Sequence, residues 1–270
     1  MRHLSKVFVF LVLTTFLIQL SCRKESDSLD EGLLFYYPFN GNVKDAGGNG
    51  NHGIDYTSGN YVTGKRGKAL DFNGTSDYIQ LRRSINSEKG LTFSFWINSR
   101  GASGTDNNGV IIGKYNMSGA ARCFLIYSFG ANETRNDNRL SAAFYEAGFS
   151  SALHDNVKSY FEPAELLVYP SDPLLWTISN PKRIETGKWT HCVINVTDTE
   201  IEAWVNGTLC TKKQRECQEY FDTPYEAVYI GNNLGLGSGS NNHFNGVIDE
   251  LRIYNRELTK GEIQKLYNEN

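Results

Sequence analysis

Alternation of apolar and polar residues predicts a series of short β-strands along this chain. A strand with one buried face repeats its apolar side chains at every second position. The clearest such run has on one face Leu91, Phe93, Phe95 and Ile97. Shorter apolar runs occupy residues 33–39, 110–115, 123–127, 140–145, 188–196 and 228–231. Asn-Gly dipeptides at 73–74 and 206–207 each follow a strand-like run, and this dipeptide is typical of tight turns.

The strand-like run at residues 246–253 combines an apolar face with an acidic pair. Val247, Leu251 and Ile253 alternate with polar residues, which predicts a half-buried strand. Asp249 and Glu250 interrupt the apolar run, and adjacent strand residues point to opposite faces. A buried carboxylate without a partner is costly. We therefore expect Asp249 to be held by a cation or by hydrogen bonds and Glu250 to point away from it.

After this strand the periodicity changes from that of a strand to that of a helix. Thr259, followed three positions later by Glu262, has the sequence of a capping box. Ile263, Leu266 and Tyr267 then fall on one apolar face. The pattern predicts a short C-terminal helix.

Composition narrows the class of protein. The chain has 270 residues, 13% of them aromatic, with 26 glycines and only 6 prolines. These values favour many strands joined by glycine turns, in one all-β domain or in two small ones. The net charge is −3, and the basic residues form only short pieces such as 82–83 and 212–213. A nucleic-acid-binding face needs clustered positive charge, so we expect no nucleic acid partner.

Residues 1–21 have the pattern of a targeting segment. Arg2 and Lys6 precede an apolar stretch at 7–20 that is short for a membrane span, and Cys22 follows Ser21. A cysteine after a small residue at this point resembles a bacterial lipoprotein cleavage site. The resemblance implies lipidation of Cys22, and an ordinary secretory signal is the alternative.

The segment after this cysteine, residues 22–31, is polar and acidic and lacks apolar periodicity. It is therefore predicted to be a tether. Acidic residues in this position resemble the surface-export tethers of Bacteroidetes-type lipoproteins. The expected location is the cell envelope, with the protein lipid-anchored to the outer membrane and exposed at the surface.

Several motifs resemble one family in the same order along the chain. They are Tyr37-Pro-Phe-Asn-Gly-Asn-(x)2-Asp45 with the following Asn51-His-Gly53, the run at 68–81, and the strand-plus-helix ending. Together they resemble bacterial laminin-G-like domains with a concanavalin A-like fold. The resemblance implies an all-β, two-sheet antiparallel jelly-roll sandwich over residues 32–270. It also implies that the first and last strands pair and that a short C-terminal helix follows.

One stretch departs from this family pattern. About sixty residues separate Tyr127 from Trp189, where the family usually has a short hairpin. Part of this stretch is strand-like, and residues 146–183 are interpreted as an insertion. The insertion is rich in aromatic residues and contains four prolines, which argue against long regular elements. Ordered loops of this length are usually functional or cover another surface.

Catalytic residues are not evident. Glycoside hydrolases that share the implied fold carry clustered carboxylates on one strand, and their chemistry needs two carboxyls flanking one bond. Glu200 and Glu202 share a strand face but lack a third acid, and Asp249 and Glu250 are adjacent. We therefore expect no enzymatic activity.

Calcium is the cofactor that the sequence favours. Hard oxygen ligands from loops and strand ends suit this ion, and a structural calcium near the joined termini is common in the resembled fold. The candidate ligands are Asn40, Asn73, Asp77 and Asp249. The alternative is that the asparagines only form turns and Asp249 caps backbone amides.

Carbohydrate binding is the predicted function. Sugar sites combine aromatic platforms with planar polar side chains. The candidate platforms are Trp176, Tyr160, Tyr169 and Tyr115, and the candidate polar partners are Asn233, Asn242 and His243. Trp176 has the alternative role of a core residue within the insertion. We expect a surface-tethered lectin-like domain that binds a glycan or polysaccharide, and the alternative is a structural or adhesion module that binds a protein.

Four cysteines remain after Cys22. Cys210 and Cys217 bracket a short polar loop and are the predicted disulfide, since an oxidising compartment favours pairing. Cys123 and Cys192 lie in apolar runs, where they either bridge neighbouring strands or remain buried thiols. No cysteine and histidine spacing here is typical of a zinc site.

Overall fold

The computed structural model describes residues 28–85, 90–101, 108–115, 122–129, 139–144, 176–179, 184–214, 227–234 and 242–269. All secondary structure named below belongs to the compact unit Gly32–Asn270. The strands are β1 (Leu33–Tyr37), β2 (Ile54–Tyr56), β3 (Tyr61–Thr63), β4 (Lys68–Asn73), β5 (Tyr78–Leu81), β6 (Leu91–Ser99), β7 (Asn108–Tyr115), β8 (Arg122–Phe129), β9 (Arg139–Phe144), β10 (Trp176–Ser179), β11 (Thr190–Val196), β12 (Glu200–Val205), β13 (Thr208–Gln214), β14 (Val228–Ile230) and β15 (Asn245–Tyr254). One helix, α1 (Lys260–Asn268), follows β15.

The strands form two antiparallel sheets, which confirms the predicted sandwich. Sheet A has eight strands in the order β13-β12-β11-β6-β15-β4-β3, with β1 pairing with β15 as well. Sheet B has seven strands in the order β10-β9-β8-β7-β14-β5-β2. The first and last strands pair antiparallel, with Tyr37 opposite Leu251. This pairing was expected from the family resemblance.

The hydrophobic core lies between the two sheets. The predicted inward face of β6 contributes Leu91, Phe93, Phe95 and Ile97, all at most 2% exposed. The facing side of sheet B contributes Phe124, whose ring centroid lies 4.9 Å from that of Phe93. Alternation on each strand therefore gives one shared core, as two packed sheets require.

The prediction for β15 was wrong at one point, because a bulge interrupts its alternation. Ile248, Leu251 and Ile253 belong to the hydrophobic cluster between the sheets, whereas Val247, although 9% exposed, lies outside that cluster. The pairing with β6 shifts register between Asp249 and Arg252. Glu250 has φ of 50°, the left-handed conformation that marks an extra residue in a strand. The extra residue moves the inward face from even-numbered to odd-numbered positions.

Glu250 consequently does not point to solvent. Its side chain is 3% exposed, and Asp249 is fully buried. Glu250 Oε2 accepts hydrogen bonds from Arg66 Nη1 at 3.0 Å, from Tyr36 Oη at 2.9 Å and from Arg252 Nη2 at 3.1 Å. The cost of burying the acid is thus offset by two guanidinium groups and a phenol.

The two Asn-Gly turns have different structural roles. Asn206 and Gly207 have φ of 50° and 69° and connect β12 with its neighbour β13, as a tight hairpin turn requires. Asn73 and Gly74 instead connect β4 in sheet A with β5 in sheet B. This second turn therefore crosses the edge of the sandwich and does not close a hairpin.

Helix α1 covers part of the outer face of sheet A. Its predicted capping box is present, with Thr259 Oγ1 accepting from the Glu262 backbone N–H and Glu262 accepting from that of Thr259. Ile263 and Leu266 are buried on its inner side. Tyr267 stacks on Trp96 of β6 with ring centroids 5.7 Å apart. Of the helices in the described ranges, none is long and apolar enough to cross a membrane.

The insertion and the cysteines are only partly described. Residues 176–179 of the insertion form β10, which pairs with β9 at one edge of sheet B. Cys192 is a fully buried free thiol, so it does not bridge to Cys123, which is also fully buried. Burial raises the pKa of the Cys192 thiol well above its usual range. Cys210 lies on β13, while Cys217 lies outside the described residues, so their disulfide stays a prediction.

Candidate functional site

Three tyrosines form a row across one edge of sheet B. Tyr56 on β2 lies opposite Tyr78 on β5, and their rings stack with centroids 4.7 Å apart and an interplanar angle of 18°. Tyr229 on β14 meets Tyr78 edge-on, with centroids 6.0 Å apart and an angle of 71°. Both arrangements are favourable for aromatic pairs. We call these three residues the tyrosine row.

The tyrosine row lies on the outer face of the sheet. On β5, Ile79 and Leu81 are buried in the core. Tyr78 and Gln80 alternate with them along the strand and therefore face outward. Tyr56 is 47% exposed, and within the described ranges only Leu209 and Leu234 are other large hydrophobic side chains classed as exposed. The row therefore presents an accessible aromatic surface.

The phenol group of Tyr78 stays neutral at physiological pH. Burial, followed by the neighbouring Tyr56, raises the pKa of Tyr78 above its ordinary value of 10.0. A neutral phenol is both a donor and an acceptor of hydrogen bonds. Tyr78 thus offers apolar ring surface together with a polar group that carries no charge.

A second group of polar residues lies at the adjoining end of the sandwich. Asn232 and Asn233 follow β14, while Asn242 and His243 precede β15. His243 Nε2 lies 3.2 Å from Asn232 Nδ2, and His243 Nδ1 lies 3.5 Å from the carbonyl oxygen of Asp77. Since Asp77 precedes Tyr78, this polar end adjoins the tyrosine row. Of the predicted polar ligands, the half-buried His243 is thereby placed near an aromatic surface that the sequence analysis did not identify. Asn233 and Asn242 are buried, at 2% and 6% exposed.

The local fold of this polar end depends on a glycine. Gly231 has φ of 82°, and a Cβ at this position would lie 2.2 Å from the Phe72 ring. A larger residue is therefore excluded where the chain leaves β14. His243 is half-buried, and desolvation lowers the pKa of its imidazole. The ring is consequently neutral at pH 7 and is suited to hydrogen bonding.

The four candidate calcium ligands form two separate pairs. Asp77 accepts hydrogen bonds from the Asn73 and Ser58 backbone N–H groups at 3.0 and 2.8 Å. Asn73 Oδ1 in turn accepts from the backbone N–H groups of Thr75 and Ser76, both at 2.9 Å. These oxygens fix the turn between the two sheets.

The second pair lies at the other end of β4, about 17 Å away along the strand. Asn40 Oδ1 accepts from the Lys68 backbone N–H at 2.7 Å. Asp249 accepts from the Arg66 backbone N–H at 3.0 Å and from that of Glu250 at 2.8 Å. Desolvation is the main cause that raises the pKa of Asp249 to about 6.

The donor pattern around these four residues suits turn capping better than cation binding. Each oxygen named above already accepts from one or more backbone N–H groups, and those donors favour an anion over a metal ion. Among the described residues, no group of three or more His, Cys, Asp or Glu side chains is arranged to hold a metal. Asn40, Asn73, Asp77 and Asp249 cannot bind one common ion. Calcium binding at either pair stays a prediction.

The structure describes only part of the aromatic residues that were predicted to bind sugar. Tyr160 and Tyr169 lie outside the described residues. Trp176 begins β10, with its backbone opposite Phe144, and Tyr115 ends β7, opposite Arg122. Cys22, the expected lipidation site, also lies outside the described residues.

Sequence reasoning missed the tyrosine row because its members are far apart in the chain. Each has an outward position on a different strand, and a single outward tyrosine is ordinary on a sheet. The available signal was alternation at 78–81, which places Tyr78 opposite to the core residues. The order of strands in sheet B, which the sequence alone does not determine, brings the three tyrosines together.

The carboxylates considered for catalysis are engaged in structural contacts. Glu202 accepts from Asn195 Nδ2 at 3.0 Å and from Trp204 Nε1 at 2.9 Å, and Glu200 pairs with Lys212 at 2.9 Å. Asp249 and Glu250 both contact Arg66 in the buried network described above. Neither carboxylate pair borders the tyrosine row.

Comparison with known families gives a match over most of the chain. The sequence model of the Laminin_G_3 family, described as the Concanavalin A-like lectin/glucanases superfamily, matches residues 73–264. None of the curated proteins is similar enough to this sequence to count as a match.

Solved structures with the same fold include several binding domains. Domain 4 of a GH43 extracellular arabinanase from Geobacillus stearothermophilus, in complex with arabinotriose, has a TM-score of 0.59 and 21% identity, covering 87% of this chain and 98% of that one. The binding domain of Paraclostridial Mosquitocidal Protein 1 has a TM-score of 0.63 and 16% identity, covering 89% and 53%. The binding domain of Botulinum Neurotoxin DC in complex with SialylT has a TM-score of 0.60 and 12% identity, covering 89% and 52%. This chain therefore spans about half the length of the two toxin domains.

Proposed function

Because this chain belongs to the Concanavalin A-like lectin/glucanases superfamily, we propose that it binds carbohydrate through the tyrosine row and does not catalyse a reaction. The observation that carries the proposal is the row itself, three outward aromatic rings beside Gln80, with the half-buried imidazole of His243 at the adjoining end. Sugars stack their apolar faces on such rings and bond their hydroxyls to planar polar groups. The fold likeness to an arabinanase domain and a neurotoxin domain that were solved with sugars supports the same reading.

The absence of catalysis is part of the proposal. Hydrolysis of a glycosidic bond needs two carboxyls on either side of it. Asp77, which precedes Tyr78, is 2% exposed and its carboxylate accepts from Ser58 and Asn73. Asp55, which precedes Tyr56, alternates to the other side of β2 and accepts from Thr57. Incubation with oligosaccharides that the protein binds should leave their chain length unchanged by mass spectrometry. Shortened products would contradict this part.

We also propose that the domain is tethered to the outer membrane by a lipid on Cys22 and faces the exterior. The support is the sequence of residues 1–31. Mass spectrometry of the mature protein should show a lipidated N-terminal Cys22. A mature chain that begins elsewhere without lipid would overturn the tether.

Calcium, which the sequence predicts, would have a structural role in this domain. If either pair at the ends of β4 binds the ion, calcium should raise the melting temperature and EDTA should lower it. Asp77→Asn and Asp249→Asn then identify which end of β4 holds the ion. A melting temperature that responds to neither reagent counts against calcium.

The decisive test of glycan binding is a glycan array with matched variants. Wild type should bind one or more glycans, and Tyr56→Ala and Tyr229→Ala should each weaken binding about five- to tenfold, since a stacked ring contributes about 1 kcal/mol. Leu209→Ala is the control, because it removes an exposed apolar side chain from sheet A. Trp176→Ala tests the predicted contribution of the insertion. If wild type binds no glycan, a protein partner becomes the better hypothesis.

A further inference from the structure

A positive charge lies at the far end of the outer face that carries the tyrosine row. Alternation on β5 places Tyr78 and Gln80 outward, and the exposed Arg82 lies two residues beyond Gln80, in the bend that directly follows the strand. Arg82 is exposed, and among the described residues it has no hydrogen-bond or ion-pair partner. Its guanidinium is therefore available to a ligand that extends from the aromatic rings along β5 to the end of that strand.

Among the described residues, the outward positions of β2, β5 and β14 carry no acidic side chain. They are Ile54, Tyr56, Tyr78, Gln80 and Tyr229, and Arg82 follows at the end of β5. Asp55 alternates to the other side, and its Oδ1 accepts from the backbone and the hydroxyl of Thr57. The face is thus positive in a chain whose net charge is −3. Such a local reversal of sign favours an anionic ligand.

The spacing along β5 sets the kind of ligand. Tyr78 and Arg82 are four residues apart, which is about 13 Å along a strand. One sugar ring does not span this distance, whereas a short oligosaccharide does. Gln80 lies between the two ends and offers an amide to hydroxyl groups. The planar fork of arginine matches a carboxylate or sulfate in two parallel hydrogen bonds.

We propose that the ligand of the tyrosine row is an acidic oligosaccharide, whose sugar rings stack on Tyr56, Tyr78 and Tyr229 while an anionic substituent pairs with Arg82. This inference rests on the proposed function and narrows its substrate class. A carboxylate-bearing and a sulfate-bearing glycan share the required chemistry, and the experiment distinguishes between them.

The experiment measures affinity by calorimetry for three probes of equal length. They are uronic acid oligomers, the same oligomers after chemical reduction of their carboxyl groups, and sulfated oligosaccharides. Wild type should bind one charged probe about tenfold more tightly than the reduced oligomer, and added salt should narrow this difference. The charged probe that is preferred identifies the substituent.

Two variants of equal charge complete the design. Arg82→Gln should lose most of the preference for the charged probe and keep its affinity for the reduced oligomer. Lys260→Gln removes one positive charge from an exposed position of α1, the helix that packs on sheet A. This variant should behave as wild type. Unchanged melting temperatures show that both variants fold.

The possible failures are separable. Equal affinity of wild type for charged and reduced oligomers, or full preference in Arg82→Gln, overturns the acidic ligand and leaves carbohydrate binding intact. Lack of binding to every sugar tested, including a neutral array, overturns the proposed function itself.

Discussion

The outer faces of the two sheets differ in how they treat polar side chains. On sheet A, α1 and the bulge of β15 cover the strands, so His191, Asp249 and Glu250 are all at most 3% exposed. On sheet B, the β2-β5-β14 edge leaves Tyr56 and Arg82 exposed. The charged side chains of the covered face form buried contacts that stabilise the fold. The side chains of the open face are exposed, and a ligand can reach them. A cluster of charged or titratable side chains therefore does not by itself identify a binding site.

The largest expected effect is on the covered face. Glu250→Ala removes the buried carboxylate that Arg66 and Arg252 share. Among the described residues, both guanidinium groups then pair only with the more exposed Glu269. Because one shared carboxylate remains, the cost should lie near the lower end of the range for breaking a buried pair, about 3 kcal/mol. The free energy of unfolding from urea titration measures the loss. Glu185→Ala, which removes an exposed partner of Lys188, should cost less than about 0.5 kcal/mol. Similar losses in both variants would show that the covered network contributes little.

His191 should make the protein less stable in acid. It is 1% exposed, and desolvation is the main cause that lowers its pKa to about 3, with Arg252, Arg66 and Lys65 adding to the effect. The unfolded chain, with a histidine pKa of about 6.5, binds the proton first as pH falls. The free energy of unfolding therefore keeps its full value above pH 6.5 as far as His191 is concerned. It decreases as the pH falls toward 3, and about 3 kcal/mol is lost at pH 4.5.

His191→Gln should flatten this part of the pH profile, because it removes the titrating ring while retaining a polar side chain near Ser94, which lies 3.0 Å from His191 Nε2. Unfolding free energies measured at pH 7 and pH 4.5 test the change. An equally steep loss in wild type and variant would assign the acid sensitivity to other groups.

Asp249 should have a smaller effect of the opposite sign. Its pKa in the folded protein is about 6, above the ordinary value of 3.8, so the folded state binds the proton first as pH falls. Protonation then adds about 2 kcal/mol between pH 7 and pH 4.5. Asp249→Asn should lose this gain, and its stability relative to wild type should fall further at pH 4.5 than at pH 7. A constant difference at both values would contradict the raised pKa.

The smallest stability effect is expected on the open face. Tyr229→Ala removes a half-buried ring from the edge of sheet B and should cost about 1 kcal/mol or less by thermal unfolding. The same substitution should weaken glycan binding about five- to tenfold. A variant that loses several kcal/mol of stability would mean that Tyr229 serves packing and would weaken the contrast between the two faces.

Much of the fold could be predicted, because its signals are local. Alternation located β6, the capping box located α1, and the resemblance predicted the pairing of β1 with β15. The bulge at Glu250 could not be predicted, because one extra residue in a strand leaves the local composition unchanged. The bulge places Val247 on the side of β15 opposite to Leu251 and Ile253. It also buries Glu250, which was expected to point away from Asp249.

The candidate site was harder to predict than the fold. Asn233, Asn242 and His243 were predicted because glycine- and asparagine-rich loops are conspicuous in a sequence, and their role as ligands stays a prediction. Tyr56 and Tyr229 were not found, since 172 positions separate them and only strand order makes them neighbours. A site made of ordinary residues on three strands depends on topology, and topology is the property that a single sequence determines least.

The central position of β15 also has a kinetic consequence. β15 lies between β6 on one side and β1 and β4 on the other, so sheet A has no continuous middle until residues 245–254 are available. Partners such as Leu33 and Tyr254 are more than 200 residues apart, and contacts over such separations form late and slowly. The emerging chain should therefore stay uncompacted until its last tenth is synthesised. If the chain is exported as proposed from residues 1–31, this delay would keep it competent for transport.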